Sequence, residues 1–304
     1  MKKTAKKTSY ICQMFTEMHS PLQQLPHTKH PKLWMKRDDL IDPYISGNKW
    51  RKLKYILKAA RAAGKSHLVT YGGAYSNHLV ATAAAAARSG LKSSAFVRGE
   101  EVNNEMLILC KLYGMNLIFT SREAYREPAT CYNKLFANNP DTYAIPEGGA
   151  SEEAVRGCAE IIDELPADTA HIICAAGTGT TAAGLLKGIV ASGRQIQLHV
   201  VPVLKGGDFI TTEIIRYEPF INQLSMHLDY HFGGYAKTKP ELLQYMQQFI
   251  AKTGILIDPV YTAKMCFATE DLITKGILPV NEKVIALHTG GLLGIMGMKD
   301  KFIF

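Results

Sequence analysis

The feature that most constrains this chain is an alternation. Between Trp50 and His288, short apolar segments bounded by glycine, proline or polar residues alternate with longer segments whose apolar residues recur every three or four positions. Strands are predicted over 67–71, 91–98, 117–120, 142–145, 171–175, 196–203 and 284–288. Helices are predicted over 50–63, from Asn77 to near Gly90, and over 106–113, 154–165, 181–191 and 240–253. The first helix puts Trp50, Leu53, Ile56, Leu57 and Ala60 on one face, with Lys52, Lys54 and Lys58 mostly elsewhere. Strands that alternate with helices build parallel sheets covered on both faces, so the expected fold class is α/β. Such sheets take ligands beyond the carboxyl ends of their strands. The glycine-rich turns after Tyr71, Ala175 and His288 lie in those places.

At 304 residues, 47% of them hydrophobic, the chain can bury a sizeable core in one large or two smaller domains. No internal repeat or low-complexity linker interrupts it, only the glycine punctuation near Gly148. Much of the net charge of +8 comes from Lys2, Lys3, Lys6 and Lys7 in a short N-terminal arm. Elsewhere charge is well mixed and no stretch interleaves basic and aromatic residues, which argues against nucleic-acid binding. A basic balance suits a site that attracts phosphate and carboxylate. Gln13, Glu17, His19, Ser20 and Pro21 break up residues 10–25, so no secretory signal is expected, and no run is long enough to span a bilayer. The six cysteines (Cys12, Cys110, Cys131, Cys158, Cys174 and Cys266) contain no CxxC and no zinc-ligand spacing. They read as reduced thiols of a cytoplasmic protein without a metal site.

Several segments carry chemistry. Gly177-Thr178-Gly179-Thr180-Thr181 follows a strand and opens a helix. Its glycines let backbone amides approach an anion, and the helix dipole favours one there. Gly177, Gly179 and Ala182 also satisfy a dinucleotide fingerprint, but that reading requires an acidic residue at the end of the next strand, and 195–203 has none. A single phosphate is therefore favoured over NAD. Lys49 stands just after a Ser46-Gly47-Asn48 turn, where a helix begins. An amine held there against a ligand, near other cations, has a lowered pKa and can act as nucleophile and base. Gly72-Gly73-Ala74-Tyr75-Ser76-Asn77-His78 offers amides and two short polar side chains to a carboxylate, although Ser76 read alone is equally a helix cap. Lys36-Arg37-Asp38-Asp39, Gly233-Gly234-Tyr235, Asp258-Pro259-Val260-Tyr261-Thr262 and His288-Thr289-Gly290-Gly291 complete the set.

Together these segments resemble the tryptophan-synthase-β-like pyridoxal-phosphate enzymes, in the branch of D-cysteine desulfhydrase and 1-aminocyclopropane-1-carboxylate (ACC) deaminase. The resemblance runs from about Ser20 to Gly294 with the motifs in family order. It implies two open, mostly parallel twisted sheets with helices on both faces, and the cofactor in the interdomain cleft. It implies a large domain from 1–50 and 149–304, with a smaller one, 51–148, inserted. It makes Lys49 the Schiff-base lysine and assigns Gly177, Thr178, Gly179, Thr180 and Thr181 to the cofactor phosphate. Asn77 would meet the cofactor's phenolic oxygen and Thr289 its pyridine nitrogen. Ser76, with the amides of Asn77 and His78, would hold the substrate carboxylate, and Tyr261 and Tyr235 would line the substrate site. Homodimers are usual in the family.

The expected activity is β-elimination from a small amino acid, D-cysteine first, giving pyruvate, ammonia and sulfide. ACC deaminases carry Glu after the motif tyrosine and Leu before the Gly-Gly pair; Thr262 and Thr289 give the desulfhydrase pattern instead. The alternatives are ACC deamination, an NAD(P)-dependent oxidoreductase using the Gly177 loop, and a non-catalytic cofactor-binding protein. The N-terminal arm lies outside the resemblance.

Overall fold

The computed structural model describes residues 19–25 and 29–302, so the basic arm with its four lysines and Cys12 lies outside the described residues. Two short strands, β1 (Leu22–Gln24) and β2 (Leu33–Lys36), precede helix α1 (Asn48–Ala62). Then come β3 (His67–Gly73), α2 (Asn77–Arg88), β4 (Lys92–Arg98), α3 (Glu105–Leu112), β5 (Met115–Thr120), α4 (Pro128–Phe136) and β6 (Thr142–Ala144). The remainder comprises α5 (Glu152–Ala159), β7 (Thr169–Ala176), α6 (Thr180–Ser192), β8 (Gln197–Pro202), α7 (Phe209–Ile215), β9 (Leu224–Met226), α8 (Pro240–Thr253), α9 (Thr262–Thr274) and β10 (Lys283–Leu287).

The chain divides into two compact units, one containing Leu53–Gly149 and the other Ser20–Lys52 with Ala150–Phe304. The first holds a sheet of order β5-β4-β3-β6, parallel throughout. Its central strand β3 is buried from Leu68 to Gly72, as expected for a parallel strand covered on both faces. Helix α2 is buried from His78 to Ala86, and its alanine run lets the neighbouring elements approach closely on every side.

The second unit holds a sheet of order β1-β2-β10-β7-β8-β9. Every pairing in it is parallel except that of β1 with β2. Core side chains fill both of its faces. Met35, Ile173, Val201 and Ala286 belong to one cluster, with α8 and α9 contributing Leu242, Met246, Met265 and Leu272. Ile172, Cys174, Val200 and Ile285 belong to another, with Leu185, Leu186 and Ile189 of α6. Among the described cysteines, Cys110, Cys158, Cys174 and Cys266 are buried and free, while Cys131 is half-buried.

Three histidines cross this sheet as a ladder. His171 Nδ1 lies 3.1 Å from His199 Nε2, and His199 Nδ1 lies 2.9 Å from His227 Nε2. Glu282 Oε2 ends the row, 2.7 Å from His171 Nε2. Burial, with His227 and His171 alongside, pushes His199 down to about 3. No described helix is long and apolar enough to cross a membrane, and no described cluster of side chains is suited to a metal ion.

Candidate active site

The turn ahead of Lys49 is locked by two glycines on separate segments. Gly47 has φ +60°, and a Cβ there would lie 1.8 Å from the Thr289 carbonyl oxygen. Gly290 has φ +76°, and its Cβ would lie 2.3 Å from Ser46 Oγ. The Asn48 amide donates to Thr289 O at 3.2 Å, so the two backbones cross at contact distance. No side chain fits either position, and both φ values are ones that favour glycine.

Behind the turn, the first residues of α1 are fixed by buried charges. Arg51 donates to Asp38 Oδ1 at 2.9 Å and Oδ2 at 3.1 Å, and to Glu164 through both terminal nitrogens. Lys36 donates to Glu164 Oε2 at 2.5 Å, and Ser20 Oγ to Asp38 Oδ1 at 2.5 Å. Burial works against charging this Arg51, but Asp38 and Glu164 outweigh it and hold the guanidinium firmly protonated. Burial likewise opposes the charge on Glu164, yet Arg51 and Lys36 hold its carboxyl below the usual range. Each charge is paired and hydrogen-bonded, as a low-dielectric position requires.

Lys49 itself is half-buried by surface area, and protein surrounds its amine closely. Burial first, and the Lys52 cation second, lower it to about 7, with Cys158 acting weakly the other way. A substantial neutral fraction at neutral pH gives it the capacity of a nucleophile and a base.

The glycine loop is bonded to the turn that carries Lys49. Gly179, at φ +78°, caps α6 at its N-terminus, and Thr180 and Thr181 are buried. Thr178 Oγ1 and Thr180 Oγ1 are 3.1 Å apart. Asn48 Nδ2 donates to Thr181 Oγ1 at 2.9 Å, which ties the lysine's turn to the loop. A Cβ at Gly177 would lie 3.3 Å from Cε1 of Tyr261, so the absent side chain leaves a cradle walled by that ring. Glycine backbone, threonine hydroxyls and a helix N-terminus form a donor set suited to a phosphate, close to an amine suited to an aldehyde. The residues present fit pyridoxal phosphate.

Tyr261 and Tyr235 meet edge to face with ring centroids 6.0 Å apart and hydroxyls 3.3 Å apart. The backbone of Tyr261 is held by the carboxylate of Asp258, which accepts from the amides of Val260 and Tyr261 at 2.9 Å and of Thr262 at 2.8 Å. Thr262 closes this ring: Oγ1 accepts from the Asp258 amide at 2.7 Å and donates to Asp258 Oδ1 at 2.7 Å. Its side chain is fully buried and serves the start of α9.

In the other unit, Ser76 occupies the N-cap position of α2, but its hydroxyl accepts no hydrogen bond from the helix. The expectation that Ser76 caps through its side chain is therefore not met, and the first amides of α2 stay without a side-chain cap. His78 is turned inward, its Nε2 2.8 Å from Thr70 Oγ1, so its ring serves the packing of that unit.

The structure thus groups Lys49, Gly177, Thr178, Gly179, Thr180, Thr181, Tyr235, Tyr261 and Thr289 in one unit, with Ser76, Asn77 and His78 in the other. Sequence reasoning did not single out Asp258, Lys264 or the Lys36–Asp38–Arg51–Glu164 network as positioning groups. For Asp258 a signal existed, because aspartate four residues before threonine at a helix start is a capping pattern. For Lys264 the signal was a lone lysine among Ala263, Met265 and Cys266.

Comparison with known proteins adds the following. The family described as "Pyridoxal-phosphate dependent enzyme" matches residues 15–290. A Pyrococcus horikoshii protein named "Putative 1-aminocyclopropane-1-carboxylate deaminase" is 30% identical, with 93% of each chain covered. An Arabidopsis thaliana protein named "Bifunctional D-cysteine desulfhydrase/1-aminocyclopropane-1-carboxylate deaminase, mitochondrial" is 28% identical over 89% of this chain and 75% of its own length. A solved structure titled "Crystal Structure Analysis of the ACC deaminase homologue" superposes with a TM-score of 0.84 at 28% identity, covering 96% of this chain and 98% of that one.

Proposed function

Because the chain belongs to the family of pyridoxal-phosphate dependent enzymes, we propose that it eliminates the β-substituent of a small amino acid and releases the nitrogen as ammonia. D-cysteine is the substrate class named first, with pyruvate and sulfide as the other products. The observation that carries this reading is the buried Lys49 amine, lowered to about 7 and tied through Asn48 to the glycine-threonine loop. In this reading Lys49 holds the cofactor covalently and residues 177–181 hold its phosphate. Asn77 would meet its phenolic oxygen and Thr289 its ring nitrogen, and Ser76 with the amides of Asn77 and His78 would hold the substrate carboxylate. When bound, the cofactor supplies an electron sink that weakens the bonds at the substrate α-carbon. With the cofactor bound, the Lys49 amine or a tyrosinate such as Tyr261 would take the α-proton, and Tyr261 and Tyr235 would line the substrate site. The family's habits and the free buried cysteines support a homodimer and a cytoplasmic location within the same proposal.

A second reading, ACC deamination, is favoured by the name of the Pyrococcus relative. Two positions weigh against it. Residue 262 is a buried threonine bonded to Asp258 and brings no carboxylate to the site. A threonine hydroxyl at the ring nitrogen is neutral and draws less charge into the ring than a carboxylate partner does. That favours prompt loss of a good β-leaving group, and ring opening of ACC has none. The test offers the purified holoenzyme D-cysteine, L-cysteine, both β-chloroalanines and ACC, with keto acid, ammonia and sulfide measured. Turnover of D-cysteine or a β-chloro amino acid with little or none of ACC is expected. Robust ACC deamination without β-elimination overturns the assignment, and tight NAD binding by a protein lacking pyridoxal phosphate overturns the cofactor reading with it.

A further inference from the structure

The segment that presents Tyr235 is the most contorted backbone among the described residues. Phe232 and Ala236 are its two non-glycine residues at positive φ, 52° and 53°, and they flank Gly233 and Gly234 at 97° and 123°. Left-handed backbone is unfavourable for an ordinary residue, so such a turn persists only where its surroundings hold it. Besides its own backbone bonds, the Gly233 amide's bond to His231 Nδ1 and the packing of Phe232 on Phe267, the turn is held by one buried amine. Lys264 of α9 is fully buried, and its Nζ donates to His231 O at 2.8 Å, Gly234 O at 2.8 Å and Val203 O at 3.0 Å.

Those three carbonyls have distinct roles. Val203 directly follows β8, and its amide donates to Ala176 O beside the glycine loop at 3.0 Å. His231 O and Gly234 O are also the acceptors of the turn's own bonds, from the Gly234 amide at 3.0 Å and the Lys237 amide at 3.1 Å. An ammonium has three hydrogens to donate, and three carbonyls accept them. Among the described residues, no carboxylate is hydrogen-bonded to the amine in place of a carbonyl. Lys264 follows Tyr261 by three residues, so one turn of chain carries the ring of Tyr261 and the amine that holds the turn of Tyr235.

We propose that Lys264 is a positioning residue for the reaction: its buried amine pins the 231–236 turn and thereby sets the Tyr235 hydroxyl against that of Tyr261. This inference rests on the reading of the tyrosine pair as part of the substrate site. A hydroxyl pair at 3.3 Å is at the outer edge of hydrogen-bonding range, so small shifts of the turn open it. Tyr235 is itself about half exposed, and its ring meets that of Tyr261 edge to face.

The test combines exchange and kinetics on the holoenzyme, with Lys264→Met removing the amine and Lys264→Gln keeping two donors. Amide hydrogen exchange over residues 231–237 should accelerate in Lys264→Met and less so in Lys264→Gln, while exchange over 258–263 stays as in the wild type. The cofactor's absorption should be retained. With D-cysteine, Lys264→Met should lower kcat roughly 10- to 100-fold, the scale of a misplaced reacting group, with KM changed less. Adding Tyr235→Phe to it should cause little further loss, since both changes remove the same hydroxyl from its place. Unchanged exchange over 231–237 overturns the proposal, as do losses that multiply in the double variant. If Lys264→Met does not fold, the exchange and the cycle are read with Lys264→Gln by the same criteria. If the wild type turns over no amino acid, the functional reading fails, and the exchange result alone decides whether Lys264 holds the turn.

Discussion

Lys49 opens a helix with Lys52 one turn further on, and burial together with that second cation keeps its amine near 7. In the role proposed for Lys49 the neutral amine is the nucleophile, so covalent attachment of pyridoxal phosphate to apoenzyme should speed up as pH rises through about 7 and level off above it. Lys52→Met removes a cation that lowers Lys49, so the midpoint should move to higher pH; stopped-flow absorbance on mixing apoenzyme and cofactor measures both. Lys49→Ala should abolish turnover and the borohydride-fixed cofactor label while thermal unfolding stays cooperative. A label mapped to Lys52 or Lys54 instead would show that the wrong amine was chosen. The turn ahead of Lys49 and the helix start at 177–181 were legible in the sequence because a Ser-Gly-Asn turn and a Gly-Thr-Gly-Thr-Thr run are local patterns with local geometry. Lys264 was not. Its partners are carbonyls of Val203, His231 and Gly234, and bonds to a distant backbone leave no mark on the residue types that accept them.

Helix α9 begins with the Asp258–Thr262 ring, whose bonds hold the start of that element. Thr262→Val removes a donor and an acceptor from buried partners and should cost about 1–3 kcal/mol in denaturant unfolding. Thr262→Glu places a second carboxylate beside the fully buried Asp258 and should destabilise further without creating ACC deamination. A Thr262→Glu variant that unfolds like the wild type and deaminates ACC would return this position to the substrate site. The histidine ladder makes a separate claim on the sheet. His199 is held at about 3 against an ordinary 6.5, so below pH 6.5 the unfolded chain binds a proton that the folded chain refuses. Stability should therefore fall as pH drops from about 6.5 toward 3. Replacing the ring in His199→Gln should flatten that slope, as urea midpoints across the range would show. Long periodic elements such as α1, α2, α6 and α8 were legible, within a residue or two at most ends. Those missed were β1, β2, β9, α4, α7 and α9. Leu22–Gln24 and Leu224–Met226 are three residues each, too short for a period, and exist because neighbouring strands pair with them. Threonines at 262, 269 and 274 and the Asp-Pro start hid α9, which packing and its aspartate cap sustain.

At the scale of the whole molecule, the α/β class and the parallel sheets followed from the alternation of segments, since period and length are properties of the sequence. The order of strands did not. Nothing local in Lys283–Leu287 says that it lies between Leu33–Lys36 and Thr169–Ala176, yet that is where β10 sits. This placement has a consequence for how the protein comes into being. A ribosome releases the chain in order, and residues 53–149 leave it as one uninterrupted stretch with its own complete sheet. The larger sheet lacks an inner strand until residue 287 has cleared the exit tunnel, and the Gly47 turn lacks its counterpart at Thr289 and Gly290. Nascent chains stalled before residue 283 should accordingly show a protease-resistant core mapping to 53–149 and a digestible remainder. Until then the polypeptide is expected to be a folded insert on an unfinished sheet, and the turn that carries Lys49 waits for its counterpart at Thr289 and Gly290.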